Sequence, residues 1–74
     1  MSDLFGGLPD SVSLERQVEA VRRELSMRRR VYPRWVENGK MTERQAAEEI
    51  SVMEAVLLTL ANVQALQRRK ESAA

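Results

Sequence analysis

The chain has 74 residues, a net charge of +1, 43% apolar but only 4% aromatic residues, and neither cysteine nor histidine. Such a chain holds one domain near the lower limit for a self-sufficient core, and that core must be aliphatic. Disulfides, thiolate or imidazole metal sites and histidine-based catalysis are excluded, which leaves self-association as the staple for so small a fold.

Residues 1–12 read as a flexible N-terminal tail, because Gly6-Gly7 and Pro9-Asp10 are loop signals and no hydrophobic period crosses them. Leu4, Phe5 and Leu8 make this tail more apolar than a plain solvated end. They either fold back over the rest of the chain or form a short docking motif, Asp3-Leu4-Phe5-Gly6-Gly7-Leu8; folding back is the commoner origin of such a pattern. The start lacks the basic flank and long apolar run of a signal peptide. Nowhere do about 18 apolar residues follow one another, so a soluble, cytoplasmic protein is expected.

A first helix is expected to start at Ser11 or Ser13, either of which can cap the first turn, with Glu15 suited to its positive end. Leu14, Val18, Val21 and Leu25 recur at the spacing of one helix face. The same count continues onto Arg28, Tyr32 and Trp35, so the stripe turns basic and aromatic. Pro33 lies inside it, and either kinks the helix or breaks it into a separate turn. The register kept by Tyr32, Trp35 and Val36 favours a kinked helix running to about Glu37.

Asn38-Gly39 then provides a helix stop. Thr42-Glu43-Arg44-Gln45 reads as a capping box for a second helix, with Met41 placed as a hydrophobic staple against Ala46. So short a connection makes an antiparallel hairpin. The second helix is expected from about Glu43 to Arg69, with a stripe of Ala46, Ile50, Met53, Leu57 and Leu60. Residues 13–69 thus form the hairpin domain and 70–74 a flexible C-terminal tail. Val56, Leu58, Val63 and Leu66 widen the apolar face beyond one seam. They are the candidate dimer interface of an all-α protein whose hairpins pair into a four-helix bundle.

Seven arginines between Arg16 and Arg34 face only Glu19 and Glu24, whereas the start of the second helix carries Glu43, Glu48, Glu49 and Glu54 against Arg44. In a hairpin these regions are neighbours, so Arg28 is expected to reach Glu49 or Glu54, and Arg34 to reach Glu48. Three consecutive helical arginines spread over roughly 200°, so at least one of Arg28, Arg29 and Arg30 faces solvent. With Tyr32, Arg34, Trp35 and Lys40 they form the candidate partner-binding surface, for a protein first and for nucleic acid second, since net charge is low. Trp35 is expected to plug the hairpin over Ala46 and Ile50, while Tyr32 is left open between core and surface.

Catalysis has little to work with. Ser11, Ser13, Ser26 and Ser51 have no histidine to activate them, and there is no Gly-rich phosphate loop. Glu48, Glu49 and Glu54 lack the Glu-x-x-His spacing of a helical metal site. No enzyme, metal or cofactor is expected.

The run from Glu24 to Leu60, above all Arg30-Val31-Tyr32-Pro33, Gly39-Lys40-Met41-Thr42 and Met53-Glu54-Ala55-Val56-Leu57, resembles a group of small, largely uncharacterised proteins encoded by bacteriophages and prophages. The resemblance covers about half the chain and excludes the Leu4-Phe5 tail. It implies a phage or prophage origin and a helical hairpin, and carries no active site to transfer. The combined expectation is a non-enzymatic accessory protein that binds a protein partner, an inhibitor of a host factor being one form of it.

Overall fold

A computed structural model of the chain describes residues 12–73. Two helices account for nearly all of them, α1 (Leu14–Glu37) and α2 (Glu43–Ala73), packed side by side as an antiparallel hairpin with no strand among the described residues. The expected tail motif, Leu4, Phe5 and Leu8, and the alternative cap Ser11 lie outside these residues.

Local chemistry explains each helix end. Ser13 has extended backbone angles, and its hydroxyl accepts from the Arg16 N–H at 3.1 Å, so Ser13 caps α1. Gln17 tightens this end by donating its side-chain amide to the Val12 carbonyl at 2.9 Å. At the other end Asn38 is the cap and Gly39 turns left-handed at φ +75°. The Gly39 N–H donates to the Val36 carbonyl at 3.1 Å and the Lys40 N–H to that of Trp35 at 2.8 Å, the paired bonds of a Schellman motif.

The α2 start is the reciprocal capping box that the spacing predicts. Thr42 Oγ1 accepts from the Gln45 N–H and Gln45 Oε1 from the Thr42 N–H, both at 3.0 Å. Five residues, 38–42, therefore separate the two helices, and every cap is made within the chain segment that needs it.

Pro33 sits inside α1, which continues through it to Glu37 rather than breaking. The far end of α2 differs from expectation, because the helix runs on to Ala73, a full turn beyond Arg69. Nothing in Arg68-Arg69-Lys70-Glu71 disfavours helix, and the basic residues suit the negative end of its dipole.

Val18, Leu25, Tyr32 and Ala46 are the buried side chains of the described hairpin. Leu14, Val21, Ile50, Met53, Leu57 and Leu60 line the same seam half-buried. The two expected stripes therefore do face each other. The seam is thin, since one helix can cover only one side of the other. By length and composition alone α2 could also cross a membrane, although Glu54, Asn62, Gln64 and Gln67 interrupt its apolar run.

Candidate functional site at the closed end of the hairpin

The last three turns of α1 bring the arginine cluster beside the first turns of α2. Arg28 leaves the seam with only 16% of its side chain exposed. Its Nε donates to Glu24 Oε1 at 2.9 Å, one helical turn back. Its Nη1 donates across the hairpin to the Glu49 carbonyl at 2.8 Å and lies 3.4 Å from Glu49 Oε1. The guanidinium carbon also stands 5.8 Å from the centre of the Tyr32 ring. The Glu24 hydrogen bond raises the Arg28 pKa above the ordinary arginine value and partial burial opposes it, so Arg28 stays charged throughout the neutral range.

Arg29 takes the other flank, its Nη2 donating to Glu54 Oε2 at 2.7 Å. Of the two partners expected for Arg28, Glu49 is met and Glu54 goes to Arg29. The reason is angular. Arg29 follows Arg28 by about 100° around α1, and Glu54 occupies the matching flank of α2. The expected Arg34–Glu48 pair is replaced by Arg44–Glu48 at 3.8 Å, an exposed contact within α2 worth at most a few tenths of a kcal/mol.

The aromatic that plugs this end is Tyr32 rather than Trp35. Tyr32 is the buried one, 8% exposed, and Trp35, the expected plug, is 40% exposed. Val36 instead is half-buried at the seam position after Tyr32. Helix geometry accounts for this. Each heptad falls behind a straight helix by about 20°, so after three heptads Trp35 lies about 60° behind Leu14, whereas Val36 lies about 40° ahead of it. Trp35 is rotated off the seam but not released: its ring stacks on that of Tyr32, centroids 5.5 Å apart and planes 27° from parallel.

The structure thus divides the candidate partner-binding residues. Arg28, Arg29 and Tyr32 hold the hairpin closed. Arg30, Arg34, Trp35 and Lys40 are exposed, and none of the three cations makes an ion pair among the described residues. Sequence reasoning missed the bond across the hairpin from Arg28 to the Glu49 backbone carbonyl, which no pattern of side-chain charges could have revealed. Among the candidate dimer residues Leu58 and Leu66 are 63% and 58% exposed, Val63 is exposed, and Val56 is half-buried.

Among the described residues no cluster of acidic side chains is placed to hold a metal ion. The hollows along the hairpin are open surface grooves, the most apolar of them lined by Val52, Ala55, Val56, Thr59 and Leu60. No protein-family model matches the chain, and no curated protein or solved structure is significantly similar to it.

Proposed function

We propose that this protein is a non-enzymatic helical interaction module that binds a protein partner through the outward side of the hairpin's closed end. Phage or prophage origin and a bacterial cytoplasmic setting belong to the same proposal, as does inhibition of a host factor. The observation that carries it is Trp35. A large aromatic ring, still 40% in solvent, is held in place by stacking on a buried tyrosine. Arg30, Arg34 and Lys40 surround it along the chain as cations without partners among the described residues. A pre-ordered aromatic ring loses little conformational entropy on docking, and aromatic and arginine side chains are enriched at interface hot spots.

Nucleic acid is the second reading. Against it, Arg28 and Arg29 already spend their charge on Glu24, Glu49 and Glu54, which leaves few cations for phosphates. For the cytoplasmic setting, Glu54, Asn62, Gln64 and Gln67 would each be costly in a bilayer.

The test is affinity capture from infected or lysogenic cells with the wild-type chain, Trp35→Ala and Arg34→Glu, each with and without nuclease. A partner that survives nuclease and is lost with both variants supports the proposal. Loss of all captured material on nuclease treatment, or binding that falls by orders of magnitude between 50 and 300 mM salt, would establish the nucleic-acid reading instead.

A further inference from the structure

We infer that the outer side of α2 is an interface with a second copy of this chain, in which two α2 helices pair antiparallel about an axis between Val56 and Thr59. The surface is defined by Val52, Val56, Thr59, Val63 and Leu66. Each stands one residue ahead of a seam position (Met53, Leu57, Leu60, Gln64 and Gln67), so the set forms a second straight stripe about 100° around the helix. That angle separates the two neighbours that every helix has in a four-helix bundle. Val52, Val63 and Leu66 are exposed, and the shallow apolar groove runs along the same side.

Three observations select a second copy as the occupant. First, the stripe is its own complement. From Val52 to Val63 its spacing of 4, 3 and 4 residues reads the same way in reverse for a facing antiparallel helix. With the axis between Val56 and Thr59, Val52 faces position 63 of the second copy and Val56 faces position 59, and no charged residue lies on the stripe itself. An isologous two-fold interface requires this match of a surface with itself.

Second, α1 offers little competing apolar surface at that level. Arg28 bridges Glu24 and Glu49, and each of these glutamates also stands one residue ahead of its helix's seam. The outward stripes of the two helices therefore share one side of the hairpin. On α1 that side carries Gln17, Ala20 and Glu24 opposite the apolar part of α2, with Met27 half-buried at the Val52 end, so the stripe's natural match is another α2.

Third, the hairpin is one helix thick, 14 Å in its thinnest dimension, and its seam buries only four side chains among the described residues. Stable domains are built of at least two packed layers. Pairing α2 along its length, with the adjoining turns of α1, covers on the order of 1,000 Å² across the two copies, where specific association begins.

The chain has no cysteine, so single spin labels can be placed at will in the full-length protein. Labels at Val52→Cys, Thr59→Cys and Val63→Cys should give intermolecular distances shortest at position 59. They should lengthen by similar amounts at 52 and 63, where the axial offset is about 16 Å in either direction. Equal distances at the three positions, whether from parallel pairing or from α1 packing on the partner's α2, overturn the inference. So does a monomer at every concentration, or pairing seen only when lipid vesicles are present.

Charge exchange provides a readout independent of label placement. Val52→Glu and Val63→Lys should each weaken self-association at least about 10-fold, and an equimolar mixture should recover most of it, because the two positions face each other across the axis. Two weakened variants that fail to rescue one another count against this antiparallel pairing.

Discussion

Gly39 shows how much one backbone angle carries. Its φ of +75° costs glycine almost nothing and any other L-residue more, and a Cβ built there meets no atom within 4 Å. Gly39→Ala should therefore lose about 1 kcal/mol from backbone strain alone, read as a lower urea midpoint with an unchanged m-value. Gly39→Asn should lose less, since asparagine tolerates left-handed angles. The two aromatics make a contrasting pair. Tyr32→Ala removes a buried ring and should cost about 3 kcal/mol. Trp35→Ala should cost less than about 1 kcal/mol while abolishing partner capture. Equal stability losses at the two positions would contradict the burial of Tyr32 and the exposure of Trp35.

At the scale of the element, the two helix ends that meet at the corner are each completed by bonds spanning three to five residues. This is why the corner was legible in the sequence: the segments Arg34 to Lys40 and Thr42 to Ala46 contain both donor and acceptor of the bonds that close the two helix ends. Pro33 was legible only in part. Its ring denies Arg29 the usual intrahelical donor, yet α1 passes through it because Tyr32 and Val36 on either side are held in the seam. Pro33→Ala should return that hydrogen bond and raise stability by about 1 to 2 kcal/mol, net of the looser unfolded chain. Chemical denaturation of the variant at fixed protein concentration checks it. No gain would mean that the neighbouring turns have already adapted to the missing donor.

At the scale of the whole molecule, a lone hairpin is an incomplete solution to burial. Each helix covers one side of the other, and α2 carries more apolar surface than α1 can hide, with Leu58 and Leu66 more than half in solvent. If a second copy completes the core, folding and association are one equilibrium, and the melting temperature must rise with protein concentration. A tenfold dilution that leaves the midpoint unchanged in calorimetry would show that the hairpin is stable alone. The same excess of apolar surface lets α2 satisfy the length and composition of a membrane span. Its scattered Asn and Gln residues and the ion pair at Glu54 favour a protein neighbour over lipid.

By itself the sequence determined two helices, their facing stripes, the antiparallel turn and the proximity of the arginine run to the glutamates of α2. These rest on local hydrogen bonds and on a period that repeats within one helix. Tertiary structure alone decided which aromatic is inside, which arginine pairs with which glutamate, and that Arg28 reaches a backbone carbonyl. Those outcomes depend on how far the stripe has rotated after several turns and on where the opposite helix stands at that height. Rotation accumulates by only about 20° per heptad, too little to alter the pattern of spacings but enough, by the end of α1, to bury Tyr32 and turn Trp35 out to solvent.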